Sequence, residues 1–524
     1  MDADERDHRE GEYRDLVLRT WDHAASRPDA PAVRQAEELW TYRDLVRAAA
    51  RHARDLVAHG LVAGDRVMLV APTGVAFVQI YLGALAAGAV VVPINPLCTA
   101  RELEHFARDS ECRLVIGWHE NAPVVGQVAR GLGLPFVELR DIAPGLDDET
   151  FAPVVRSPDD PAVLLYTSGT TGRPKGALIT FGNIFVSTTA IRRLFGLSEK
   201  DRLGTALPLF HVYGQVAVLG VALDVGASVS LLPKFSGDGL LRMVEKDALT
   251  MGSGVPSMWI AMLEAARNLV PAPNITSLRV ASSGGATLPM EVNRAFAAEF
   301  GATVLSGYAL SETTAIGACE HPGRQLREGS VGQAVQGVEI VIVDERGDTV
   351  PTGAIGEITI AGPSVTAGYW GRPEATAEAI VNGRLMTGDL GRLDEDGYLW
   401  VVGRKKEMII RGGYNVYPRE IEEALYEHPA VLEVAVVGVA DHRLGEEVAA
   451  VVAFRPTMSA SPADLRAWLD ERIAAYKVPR LIQVVDALPK GATGKIHKLA
   501  IDREAVVALG VRVNRRPEQA AELR

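Results

Sequence analysis

From Arg66 to Trp118 short apolar runs alternate with segments of helical period. "RVMLVA" reads as a strand, the residues from Val75 to Ala87 as a helix stopped by Gly88, and "AVVVPI" as a second strand. Thr99 and Glu102 form a capping-box signature that opens a helix running to about Asp109, and "CRLVIGW" supplies a third strand. A strand apolar along its whole length needs cover on both faces, and the alternating helices provide it, so this part of the chain is confined to a parallel, helix-covered sheet. The stretch Val75 to Ile94 has the length of a membrane span. Gln79, Gly83 and the stop at Gly88 favour a helix followed by a buried strand instead.

The same grammar returns between Ile191 and Phe300, where "SVSLLP", "LTMGSGVP" and "LRVASSGG" are separated by helical segments. After about Gly329, "VEIVIVDERGDTV", "GEITIAG" and "GRLDEDGYLWVV" alternate with turn signals and predict antiparallel hairpins. Beyond Gly403 a shorter unit mixes strands with helices opening at Pro418 and at Ser461, Pro462 and Asp464. At 524 residues the chain exceeds one ordinary core. The expected fold is α/β: a large N-terminal domain, residues 1–402, of two α/β sheet lobes plus a β-rich lobe, and a small mobile α+β C-terminal domain, residues 407–524. "GRKK" at 403–406 is the expected hinge.

Charge and cysteine content narrow the function. A net charge of −12 without a cluster of Lys and Arg argues against a nucleic-acid partner. Cys98, Cys112 and Cys319 are widely spaced, make no metal-ligand pattern and suit a reducing cytoplasm, which is the expected location. The charged start "MDADERDHREGEYRD" has no apolar signal core, and stable membrane insertion is not expected.

"YTSGTTGRPKG" (166–176) follows the apolar run "AVLLY" and so leaves a strand as a loop. Its glycines let backbone N–H groups converge on an anion, and phosphate is the natural guest. It is not a Walker loop, because Pro174 precedes the lysine and the spacing differs. A flexible linker is the plain alternative, but linkers rarely place two threonines, a proline and a lysine in so tight a glycine frame.

This stretch resembles the phosphate loop of the adenylate-forming superfamily, which contains acyl-CoA synthetases, luciferases and peptide-synthetase adenylation domains. Seven further segments match in order: "LPLFHVYG", "SSGGATLP", "GYALSETT", "LMTGDLG", "GRKKEMIIRGGYNVYPREIE", "YKVPR" and "PKGATGKIHK". The resemblance extends from about Asp29 to Lys498 and is closest to bacterial fatty-acid:CoA ligases, with 4-coumarate and malonyl ligases near.

The resemblance implies ATP, Mg²⁺ and coenzyme A as cofactors and assigns roles residue by residue. Thr167, Ser168, Gly169, Thr170, Thr171, Gly172 and Lys175 would wrap the β- and γ-phosphates, Ser311 would reach the α-phosphate, and Thr167 and Glu312 would hold Mg²⁺. Gly284, Gly285, Ala286, Gly307, Tyr308 and Ala309 would frame adenine. Asp389, read as lying in a glycine-flanked turn, would bind the ribose hydroxyls, with Arg404 opposite. Lys495 would carry catalytic positive charge to the α-phosphate. Lys406 would be the pivot; Gly412, Gly413 and Tyr414 would line the tunnel for the thiol arm; and His211 would gate it. Tyr213, Val255, Pro256 and Ile316 would line the acyl pocket, which offers no charge for a second carboxylate and so favours an apolar acid. The chain departs from the family pattern without losing a catalytic group: Ser311 for threonine keeps the hydroxyl, Ala309 for glycine adds a methyl that would narrow the acyl pocket, Gly403 stands for an aspartate, Lys498 for an arginine, and "GSVGQAVQGVE" (329–339) lacks the usual prolines.

The expected function is an AMP-forming acyl-CoA ligase. A malonyl- or 4-coumarate-type CoA ligase, transfer of the adenylate to a carrier protein or another nucleophile, and a catalytically dead binding protein are the alternatives; a homodimer and a carrier protein are the candidate macromolecular partners.

Overall fold

The computed structural model describes residues 13–140, 142, 144–145, 150–167, 174–269, 273–286, 288–491 and 495–513. These residues build four sheets. In the first, six strands run in the spatial order Phe136–Leu139, Leu114–Trp118, Arg66–Val70, Val90–Ile94, Pro161–Thr167 and Lys175–Thr180. The first five are mutually parallel, as the alternation predicts, but Pro161–Thr167 and Lys175–Thr180 form an antiparallel hairpin at the edge.

The second sheet has nine strands and is not contiguous in sequence. Its centre comprises Val304–Tyr308, Val280–Ser283, Met251–Gly254, Arg202–Thr205 and Ser228–Leu231, all parallel. Pro31–Gln35 and Glu38–Thr41, from far earlier in the chain, extend one side, and two short antiparallel strands, Ala318–Cys319 and Gln333–Ala334, extend the other. The wholly parallel sheets expected from the alternation are therefore corrected at their edges, where hairpins can add a strand without a crossover helix.

The helix Val75–Ala86 is buried at every position, Gln79 included, and packs against Tyr42–Ala58 in a core that also takes residues from both sheets. A helix apolar all round needs cover on every side, and here that cover is protein. The box at Thr99 forms as predicted: Glu102 Oε2 accepts the Thr99 N–H at 2.7 Å, and the helix spans Ala100–Asp109. Among the described residues no helix is long and apolar enough to cross a membrane.

The third sheet is antiparallel and joins Glu339–Val343, Gly356–Ala361, Ile380–Val381, Arg384–Leu393 and Leu399–Arg404. The fourth, from Ile409 to Arg512, is centred on the long pair Val431–Asp441 and Gly445–Phe454 and is covered by helices Pro418–Tyr426 and Pro462–Asp470. It encloses apolar clusters of its own, drawn from residues 409–513.

Candidate active site

Thr167 and Lys175 face each other where the hairpin Pro161–Thr180 leaves its sheet. Ser168, Gly169, Thr170, Thr171 and Gly172 lie outside the described residues. Glu312 sits in the single 3₁₀ turn Ser311–Thr313, just after the strand Val304–Tyr308. The next two residues, Thr314 (φ 51°) and Ala315 (φ 66°), are left-handed, a conformation uncommon without glycine. The Glu312 carbonyl then accepts the Thr366 N–H at 2.7 Å. Its carboxylate Oε1 receives hydrogen bonds from the Tyr369 hydroxyl at 2.9 Å and Thr167 Oγ1 at 3.4 Å. Lys175 Nζ lies over the Tyr369 ring, 5.2 Å from its centroid. Sequence reasoning missed Tyr369; the available signal was an aromatic pair, Tyr369–Trp370, in the glycine-flanked segment "AGYWGRP".

Asp389 is not in a turn, as the sequence suggested, but in the strand Arg384–Leu393, where the register with Gly356–Ala361 slips around Thr387–Asp389. Such a bulge re-aims side chains without breaking the sheet. Asp389 is 5% exposed, accepts from the Tyr308 hydroxyl at 2.7 Å and pairs with Arg404 Nε at 3.2 Å. Burial pushes its carboxyl up from the ordinary range, against the pull of Arg404 and Tyr308.

Lys495 reaches this place from irregular backbone in the C-terminal part of the chain, next to the isolated bridge between Lys490 and Ile496. Its side chain crosses the backbone of Gly285: a Cβ there would stand 2.6 Å from Lys495 Cε and 3.0 Å from Nζ. Gly285 is thus doubly required, by this approach and by its φ of +80°. Burial, then the nearby Arg404, brings the Lys495 ammonium down to about 8, with Asp389 opposing. Burial, then Lys495, likewise lowers His211 to about 4, so its imidazole is neutral near pH 7. His211, Lys495, Arg404, Asp389 and Glu312 therefore share one electrostatic neighbourhood.

The wall beside Lys495 is mostly apolar. Tyr213 opens a π-helix, Tyr213–Gly220, and its hydroxyl donates to the Ser282 carbonyl at 3.1 Å. A Cβ on Gly284 would lie 3.1 Å from the Tyr213 ring. Val255 and Pro256, at the start of the helix Pro256–Asn268, and Ile316 are buried; Ala286 is exposed; Gly307 and Ala309 are half-buried beside Tyr308. A π-helix at a site wall widens the turn and is frequent where side chains must be re-aimed.

Lys406 lies in the exposed turn after Arg404. Gly412 (φ 58°) and Gly413 (φ 87°) form a two-residue hairpin turn between Ile409–Arg411 and Tyr414–Val416, with both central residues left-handed as a type I′ turn demands. That demand accounts for the glycines locally. Tyr414 stacks against Tyr476, centroids 4.9 Å apart, so the turn's contacts are with its own lobe rather than with Lys495.

Among the described residues no three His, Cys, Asp or Glu side chains converge to hold a metal. Thr167 and Glu312 offer hard oxygen donors, the type Mg²⁺ takes when phosphates complete its shell.

Two family models match the chain: AMP-binding enzyme over residues 20–370 and AMP-binding enzyme C-terminal domain over 420–495. A long-chain-fatty-acid–CoA ligase of Bacillus subtilis (strain 168) is 34% identical over 515 residues, covering 91% of this chain and 92% of its own. A feruloyl-CoA synthase of Amycolatopsis sp is 38% identical over 480 residues, covering 91% and 96%. The crystal structure of ATP-bound MatB from Rhodopseudomonas palustris superposes with a TM-score of 0.88 at 33% identity, covering 94% of this chain and 99% of that one.

Proposed function

Because this chain belongs to the AMP-binding enzyme family and is an acid–thiol ligase that uses ATP and coenzyme A, we propose the following assignment of its site and substrate. The acid is apolar, fatty or aryl. In the first half-reaction a carboxylate oxygen attacks the α-phosphorus of ATP, the bond to the bridging oxygen breaks, and pyrophosphate leaves. In the second, the thiol of coenzyme A loses its proton and attacks the acyl carbon; the acyl–oxygen bond breaks and AMP leaves.

Asp389 and Arg404 hold the ribose and Tyr308 borders the adenine. Ser311 and Lys495 place a donor and a cation where charge builds on the α-phosphate. Thr167 and Lys175 bind the β- and γ-phosphates, the role also assigned to Ser168, Gly169, Thr170, Thr171 and Gly172, which lie outside the described residues. Glu312 and Thr167 would hold Mg²⁺, whose charge would offset that of the pyrophosphate oxygens. Tyr213, Val255, Pro256 and Ile316 shape a pocket without a charged side chain, which disfavours a diacid. His211, neutral at working pH, closes the pocket toward the thiol without adding a second cation. Residues 1–402 and 407–524 act as two bodies about 403–406, with Lys406 at the pivot, and Gly412, Gly413 and Tyr414 serve the thiol step after rotation.

The observation that carries this reading is the Lys495 arm laid across Gly285 beside Asp389 and Arg404. The test is acid-dependent exchange of pyrophosphate into ATP over a panel of fatty, aryl and dicarboxylic acids, for the wild-type protein and Lys495→Ala. The expected result is exchange with apolar monoacids, lowered at least about a hundredfold by the substitution. Full exchange by the variant, or activity confined to diacids, removes the reading. Release of AMP that needs a carrier protein rather than coenzyme A would replace the acceptor.

A further inference from the structure

We propose that Tyr369 is a positioning residue for the polyphosphate end of the site: its ring keeps the Lys175 ammonium from closing onto the Glu312 carboxylate, and its hydroxyl holds one oxygen of that carboxylate. This rests on the assignment of Lys175 to phosphate and Glu312 to Mg²⁺ made above.

Three observations converge. The Tyr369 hydroxyl donates to Glu312 Oε1 at 2.9 Å, the same oxygen that receives Thr167 Oγ1, so both hydrogen bonds use one side of the carboxylate. The Lys175 ammonium sits over the ring of the same tyrosine, 5.2 Å from its centroid, a cation–π arrangement that occupies the lysine without neutralising it. The ring is anchored by backbone. Tyr369 bridges Ala177 in antiparallel fashion, the Trp370 N–H donates to the Gly176 carbonyl at 2.8 Å, and the Leu178 N–H donates to the Gly368 carbonyl at 2.9 Å. The Tyr369 N–H in turn donates to Thr376 Oγ1 at 2.9 Å. Residues 368–370 are thereby pinned along Lys175–Thr180 by a single antiparallel bridge and its flanking hydrogen bonds, which fix the backbone that carries the aromatic side chain.

Lys175 and Glu312 meet the same tyrosine, one at its ring and the other at its hydroxyl, and a direct pair between them would hide from the nucleotide the two charges it needs. The tyrosine separates them with a surface each can use: the π face for the cation, the hydroxyl for the anion.

The experiment uses the full chain with α,β-methylene-ATP, whose bridging carbon blocks adenylation. Mn²⁺ binding is read by electron paramagnetic resonance and metal-free nucleotide binding by calorimetry. Tyr369→Phe keeps the ring and loses the hydroxyl; the Mn²⁺ concentration for half-saturation should rise about five- to tenfold with metal-free affinity unchanged. Tyr369→Leu loses both and should weaken metal-free nucleotide binding about tenfold as Lys175 pairs with Glu312. Adding Glu312→Gln to Tyr369→Leu should then restore metal-free binding, a rescue that a mere packing role would not give. Wild-type Mn²⁺ and nucleotide binding in both single variants overturns the proposal, as does failure of the rescue. Mn²⁺ binding untouched by Glu312→Gln in the wild-type background is a different result: it removes the underlying assignment and the Tyr369 role with it.

Discussion

The charge on Lys495 decides the pH range of the first half-reaction. Burial and Arg404 lower its ammonium to about 8 in the free protein. A lysine acting as a cation works below its pKa and fails above it. The second-order rate constant kcat/KM for ATP in pyrophosphate exchange should therefore be level below about pH 8 and fall about tenfold per pH unit above it, because that constant reports the free enzyme. Lys495→Arg keeps its charge and should lose this alkaline limb, whatever its absolute rate. A wild-type profile still level at about pH 9.5 would show that Lys495 is not the group titrating. At this scale the residues are legible through the family resemblance rather than through spacing alone: Lys495, Asp389, Arg404, Glu312 and His211 are assigned by matching motifs, and the structure brings them into one neighbourhood. Tyr369 is not so assigned, because its importance lies in contacts with Glu312 and Lys175, 57 and 194 positions away in the chain, that local pattern does not encode.

Elements place these side chains. Asp389 owes its aim to a bulge in an antiparallel strand, and the glycine-flanked pattern around it looks the same for a turn. Gly285 ends the run after Val280–Ser283 and leaves the space that Lys495 crosses. Gly285→Ala would put a methyl into that space at a φ unfavourable to L-residues by about 1–2 kcal/mol. The expected outcome is pyrophosphate exchange reduced at least about tenfold, with thioester formation from a supplied acyl-adenylate and coenzyme A retained. Loss of both half-reactions with an unchanged melting temperature would mean that Gly285 serves something other than passage of the lysine. The π-helix at Tyr213 was beyond reach from sequence, since a widened turn carries no periodic signature over eight residues.

At the scale of the whole molecule, the C-terminal sheet encloses apolar clusters drawn from its own part of the chain, and hydrogen bonds link it to the rest. The Arg419 guanidinium, on the helix Pro418–Tyr426, donates to the Val401 and Gly329 carbonyls. Polar contacts exchange readily with water, so such a junction can open. Arg419→Ala should slow pyrophosphate exchange about three- to tenfold by loosening the arrangement that delivers Lys495, and leave thioester formation from acyl-adenylate at least as fast. Equal slowing of both steps would assign Arg419 to stability alone.

Sequence by itself determined the helix-covered parallel strands, the capped helices and the antiparallel lobe, because periodicity and caps are local and carry their physics with them; the family and the side chains named for the site follow from motifs that match a known family in order. Only the tertiary structure decided that strands from residues 31–41 complete a sheet begun 160 positions later, that Asp389 rides a bulge, and that Tyr369 touches both Lys175 and Glu312. Those facts depend on which distant surfaces bury each other, a balance summed over the whole core that no single stretch of chain contains.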